Sequence, residues 1–339
     1  MRVAHFSIWA PHRSGMYHTT ADLVTAEREA GVDAGFIDAT DGRAKTDGHF
    51  GSHPVHFADT ADIYMLHLGI PEPYFSDGTP TIVALHGHPL YSMQIELYGL
   101  EPGNDRPFST VLDYFSRTEP TWFVSFWQQE QAGYWSALDG ARGHPRIRYI
   151  PRGIRFGDGL GETGPRRDLQ GAPVIVIADQ FRLFKDALPS LWGAYRYWLS
   201  NPAARVHLYG LPPRNTRARD ALERWIADSQ LHRCIGGMWE VVDYLPEVLR
   251  SADVLLSTVT GESRVLLEAQ ACGCPVVAPA LAADVCVNEF WLPDRVADAI
   301  SHALAPSVVT RRDRAEAVRE RYDIRRTAAA LKELYEEVL

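Results

Sequence analysis

The sequence predicts an α/β protein built from two doubly wound parallel-sheet domains in tandem, with an interdomain cleft. Three observations carry this. Short apolar runs alternate with helical patterns along most of the chain, and a β-α-β rhythm argues for parallel sheets covered by helices. The segment Arg155 to Pro173, rich in glycine and charge, breaks the rhythm without periodicity and reads as a linker. The length of 339 residues, at roughly 100–200 residues per domain, fits two domains. Ligands of such folds sit beyond the carboxyl ends of the strands.

In chain order, RVAHFSI (from Arg2) reads as a strand. A helix over TTADLVTAEREAG follows and stops at Gly31. VDAGFID, ADIYMLHL, TIVALHG, TWFVSFW and RIRYIP are further strand candidates. These define a first domain over residues 1–154. After the linker, 155–173, a second series spans 174–320. It holds the strand VIVIA, a helix over DALPSLWGAYRYWLS, the strand RVHLYG, a helix over RARDALERWIADS, the short apolar CIGGMW, a helix over YLPEVLRSA and the strand DVLLSTV. Residues 321–339 close the chain as a helix placed to pack back on the first domain.

Composition narrows the function. A net charge of −9 weighs against coating nucleic acid non-specifically, because phosphate neutralisation needs clustered Lys and Arg. The four cysteines, Cys234, Cys272, Cys274 and Cys286, are not spaced as a disulfide framework. Cys272 and Cys274 form a lone C-x-C and read as small buried thiols rather than a zinc site. The N-terminal apolar run is too short for a signal-peptide core, and no stretch reaches the roughly 18 apolar residues of a membrane span. A cytoplasmic protein is expected.

The chemistry concentrates in GESRVLLEAQACGCPVVAP, Gly261 to Pro279, where two carboxylates stand beside an apolar helix and an apolar strand. A helix N-terminus presents N–H groups and positive potential to an anionic ligand, and a carboxylate there can accept hydrogen bonds from hydroxyls. The stretch from Glu262 onward resembles the E-x-F-G-x-x-x-L-E-A-x-A-x-G-x-P-V-V-A signature of family 4-like glycosyltransferases. These have the GT-B fold, two Rossmann-like domains. The resemblance implies a retaining transferase that takes a nucleotide-diphosphate sugar, a UDP-sugar being favoured, and needs no metal or other cofactor. It places Glu268 on the donor ribose. The family's two acids are eight positions apart. Eight before Glu268 stands Thr260, whereas Glu262 is six before it, so either the loop is shorter or Thr260 replaces the acid. Glu262 is preferred, with Ser263, Arg264, Val265 and Leu266 offering amides to the donor.

Other elements extend the resemblance. YIPRGI, Tyr149 to Ile154, is similar to the V-I-P-N-G-V element that closes the family's first domain. VIVIADQFRLFKDALPSLWGAY is similar to the strand plus G-R-x-x-x-x-K-G element, whose cations neutralise the diphosphate leaving group. Lys185 matches its lysine. Asp179 occupies the arginine position, and Arg182, one turn before Lys185, is assigned with it to the phosphates. Near the N-terminus Gly15 takes the place of the family's glycine-rich phosphate loop. In ALHGH, His86 is placed at the donor sugar, with His67 a second candidate.

The acceptor is read from the first domain. WAPHRSGMYHTTADLVTAEREAGVDAGFID and VSFWQQEQ resemble phage-encoded glycosyltransferases, some of which modify 5-hydroxymethylpyrimidines in DNA. Arg146, Arg148 and Arg152, in the cluster Arg142 to Arg155, are the expected contacts to DNA phosphates, and Trp127 is placed to stack on an extruded base. A small molecule, lipid or surface glycan is the alternative acceptor. A degenerate chain that only binds nucleotides is the alternative class.

Overall fold

The computed structural model describes residues 1–9, 15–45, 56–67, 74, 77–86, 89–98, 107–115, 121–126, 133–134, 137, 147–157, 159–179, 186–212, 214, 216–240 and 245–339. They divide into two compact units: Met1–Arg155 with Tyr322–Leu339, and Phe156–Arg321.

The first unit holds strands β1 (Arg2–Ser7), β2 (Asp33–Asp38), β3 (Ile63–Leu66), β4 (Thr81–Leu85), β5 (Thr121–Ser125) and β6 (Ile147–Tyr149), and helices α1 (Gly15–Glu29), α2 (Pro89–Tyr98) and α3 (Pro107–Phe115). The strands pair in the order β2-β1-β3-β4-β5-β6, every pair parallel. β1 and β3 are buried almost throughout, which is why they read as continuous apolar runs rather than alternating ones. One face of the sheet packs on α1 through Leu23 and Val24. The other packs Phe6, Tyr64 and Leu85 against Tyr114 and Phe115 of α3.

The second unit holds β7 (Val174–Ile177), α4 (Leu188–Ser200), β8 (Arg205–Leu208), α5 (Arg217–Asp228), β9 (Ile235–Met238), α6 (Leu245–Ser251), β10 (Val254–Leu256), α7 (Arg264–Ala271), β11 (Val276–Ala278), β12 (Val285–Cys286), α8 (Pro293–Leu304) and α9 (Arg311–Tyr322, its last residue passing to the first unit). Its sheet order is β12-β11-β10-β7-β8-β9, again all parallel. Local chemistry sets the helix starts. Thr216 caps α5 by accepting from the Arg219 amide, and Pro293 opens α8, where its missing N–H costs nothing. Two six-stranded parallel sheets, each covered by helices, make the α/β architecture of two doubly wound domains that the alternation predicts.

The last helix, α10 (Ile324–Val338), belongs to the first unit. The Asp323 carboxylate accepts from the Arg325 amide at its start. The Ile154 backbone bonds on either side of Asp323, its N–H donating to Tyr322 O at 2.8 Å and its carbonyl accepting from Ile324 N at 3.0 Å. A Cβ on Gly153 would run into the Ile324 backbone, so only glycine admits this approach. Ile324, Ala328, Leu331, Leu334 and Tyr335 complete the core beneath α1.

The described residues of 155–173, expected as a linker, carry no helix or strand, but most of them are held onto the second unit. The buried guanidinium of Arg250 donates to the carbonyls of Pro165 (2.8 Å), Gly161 (3.2 Å) and Gly159. Among the described residues no helix is long and apolar enough to cross a membrane.

Candidate active site

In the second unit the site grows from the carboxyl edges of two adjacent strands. Asp179 follows β7, is 3% exposed, and accepts from Ser257 Oγ (3.0 Å) and the Thr258 amide (2.7 Å). These partners begin the loop that leaves β10. Asp179 therefore stands where the signature has a cation because it is a structural tie: it fastens the loop 257–263 to the neighbouring strand. At the end of that loop Glu262 is buried while Thr260 is exposed. The buried carboxylate of this turn is thus Glu262, and Arg321 Nη2 lies 3.8 Å from its Oε1.

Ser263 occupies the N-cap position of α7 with extended backbone, yet its hydroxyl caps nothing. Ser263 Oγ is buried without a hydrogen-bond partner among the described residues. The first turn of a helix also leaves amides with no intrahelical acceptor, here those of Val265 and Leu266. One turn further, Glu268 accepts from Arg264 Nε at 2.6 Å, and both side chains are largely buried. The expected donor residues Glu262, Ser263, Arg264, Val265, Leu266 and Glu268 are therefore brought together on one loop and one helix.

The rest of the signature is packing. Beyond the C-cap Cys272 of α7 stands Gly273, whose φ of 73° favours glycine. Its N–H donates to Gln270 O at 2.8 Å and Cys274 N–H to Ala269 O at 2.9 Å, the two bonds that terminate a helix and turn the chain into β11. Cys272 and Cys274 are buried thiols, and burial pushes Cys274 up to about 12.

In the first unit, three histidines form a line, His5 and His67 buried and His86 partly so. His5 lies within β1, His67 follows β3 and His86 follows β4. Glu27 Oε2 is 2.7 Å from His5 Nε2; His5 Nδ1 is 3.1 Å from His67 Nε2; His67 Nδ1 is 2.6 Å from His86 Nε2. Tyr335 Oη donates to the other Glu27 oxygen at 2.8 Å. Burial first, and then the charge of Arg152, lower His86 to about 3. Burial, then His86, His5 and Arg152, hold His67 well below the usual imidazole range. Both rings are neutral at pH 7. Of this line the sequence yielded His86 and His67. His5 and Glu27 were missed, although a histidine inside VAHFS is itself a signal, since a buried ionisable group needs a partner.

Other expected residues fall elsewhere. Gly15 opens α1 and is exposed, with open space where a Cβ would stand. Arg148 forms a two-pronged pair with Glu337, Nη1 to Oε1 at 3.0 Å and Nη2 to Oε2 at 2.6 Å. Arg155 pairs with Glu29 at 3.3 Å, and Arg152 is buried near His67 and His86. Lys185, Arg182, Arg146 and Trp127 lie outside the described residues, as do Arg142 and His88.

Residues 174–308 match the model of the family described as Glycosyl transferases group 1. Among solved structures, the chain is similar to HepE of Anabaena, in complex with UDP and glucose, at 14% identity and TM-score 0.68 over 99% of both chains. It is similar to a sucrose-phosphate synthase of Thermosynechococcus elongatus at 14% identity and TM-score 0.67, over 99% of this chain and 98% of that one. It is also similar to the pneumococcal O-GlcNAc transferase GtfA, in complex with UDP and GlcNAc, at 11% identity and TM-score 0.64, over 100% and 99%. No curated protein matches the chain. The fold is GT-B, and the second unit carries a glycosyl transferase group 1 domain. The chain is a glycosyltransferase.

Proposed function

We propose that this glycosyltransferase moves a sugar from a uridine-diphosphate donor to an acceptor hydroxyl, with retention of the anomeric configuration and without a metal. The observation that carries the reading is the loop-and-helix start in the second unit. A buried carboxylate, Glu262, an uncommitted hydroxyl, Ser263 Oγ, and the first amides of α7 gather within a few residues. Helix-start amides suit a diphosphate, and the two glutamates suit ribose and sugar hydroxyls. Arg264 now holds Glu268, so a ribose hydroxyl would share or replace that contact. The UDP found in the complexes of HepE and GtfA supports the choice of base.

The resemblance gives the leaving diphosphate to Lys185 and Arg182. Charge on the leaving group grows as the glycosidic bond breaks, so their contribution falls on turnover more than on donor affinity. For the acceptor, the DNA reading gains nothing from the described arginines: Arg148 and Arg155 are paired to glutamates and Arg152 is buried. We carry a hydroxyl on a small molecule, lipid or glycan as the acceptor class.

The test is release of nucleoside diphosphate from a panel of nucleotide sugars, with products followed by mass spectrometry and hydroxymethylcytosine DNA as one acceptor arm. UDP release by the wild type is expected, with Lys185→Ala about 100-fold slower and chelator without effect. No release from any donor would overturn the reading, and a glycosylated DNA product would restore the nucleic-acid acceptor.

A further inference from the structure

The line of histidines in the first unit has a direction, and the direction is set at its buried end. An ionised carboxylate only accepts hydrogen bonds, whereas a neutral imidazole has one donor and one acceptor nitrogen. Glu27 accepts from Tyr335 Oη on one oxygen. Its other oxygen, 2.7 Å from His5 Nε2, therefore requires a proton on His5 Nε2, and in a neutral His5 this leaves Nδ1 bare. His67 Nε2, 3.1 Å away, must then donate, which leaves His67 Nδ1 bare. His86 Nε2, 2.6 Å from it, must donate in turn. The last nitrogen, His86 Nδ1, is left as a lone pair. It is buried and has no hydrogen-bond partner among the described residues.

We propose that Glu27, His5 and His67 are positioning residues that fix His86 in its Nε2–H tautomer, so that the bare Nδ1 accepts a hydrogen bond from a hydroxyl of the sugar substrate. This rests on the glycosyltransferase reading for the nature of the ligand, whereas the tautomer order rests on the geometry with Glu27 taken as ionised and His5 as neutral. A buried acceptor left unmade is costly, and a substrate hydroxyl supplies the donor. Phe126 packs against the His67 and His86 rings, at 6.3 Å and 5.6 Å between centroids, and helps hold them in place. Among the described residues, the charged and titratable groups around the line are Glu27 from α1, Tyr335 from α10 and Arg152 after β6. Arg152 helps to keep His67 and His86 neutral and hence able to accept. The buried Tyr335 hydroxyl is raised well above its ordinary range, by burial first and then by Glu27, so it stays a donor.

The test is the protonation pattern of the imidazole nitrogens, read by long-range proton–nitrogen correlation spectra of the full chain labelled with nitrogen-15 histidine at pH 7. His86→Asn assigns the signal. The expected result is a neutral His86 protonated on Nε2 alone. A His86 protonated on Nδ1, or present as both tautomers, overturns the proposal without touching the transferase reading. In Glu27→Gln the side-chain amide can face His5 with either oxygen or nitrogen, so the order loses its anchor. A mixed His86 population is expected, together with turnover lowered about 10-fold or more and donor KM little changed, by analogy with wrong-tautomer losses in other enzymes. A folded Glu27→Gln that keeps the single Nε2–H form shows that the carboxylate does not set the order. Should that variant not fold, the wild-type spectrum alone decides.

Discussion

A histidine that stays neutral when folded and protonates when unfolded makes stability depend on pH. His67 and His86 are both held below the ordinary imidazole value of 6.5, His86 at about 3. Between those values the unfolded chain binds more protons than the folded one, so these groups destabilise the fold progressively as pH drops from about 6.5 towards 3. Chemical denaturation at pH 7, 5.5 and 4.5 should show this loss, and His86→Gln should flatten part of it. An equal slope in wild type and variant would place the proton uptake elsewhere. Residue chemistry of this kind is poorly legible in a sequence. Glu27, His5, His67, His86 and Tyr335 come from five separate elements, and only the parallel register of β1, β3 and β4 sets their rings in line.

At the scale of elements, the second unit was far more readable than the first. Its signature is contiguous: the loop, α7 and the entry to β11 follow each other within Gly261 to Pro279. Each letter has a local cause, such as the positive φ of Gly273 and the buried chain of α7. The exception was Asp179, which broke the expected pattern because its partners lie 78 and 79 residues away. Its role yields a prediction. Asp179→Ala leaves the Ser257 hydroxyl and the Thr258 amide unpaired, a loss of about 1–3 kcal/mol for a buried donor. The loop carrying Glu262 and Ser263 should loosen, so UDP affinity should fall alongside stability in urea titrations. A variant with wild-type stability and affinity would mean the loop is held by other contacts.

At the scale of the whole molecule, the chain returns to its first unit only at its end. Leu331, Leu334 and Tyr335 are fully buried in the core beneath α1, so the first unit is finished by residues more than 300 positions from its first strand. Leu331→Ala should cost about 2–5 kcal/mol, and hydrogen exchange should show lost protection in the first unit while the second keeps its own. Equal loss in both would mean that they unfold as one body. The central claim is the UDP-sugar site at the start of α7, and calorimetric titration of UDP into wild type and Glu268→Gln tests it most directly. The account predicts one UDP bound per wild-type chain. Binding to the variant should be weakened about 10-fold or more, the loss of a charged hydrogen bond, with an unchanged melting temperature. A wild type that binds no UDP, or a variant that binds it as tightly as the wild type, would contradict the account.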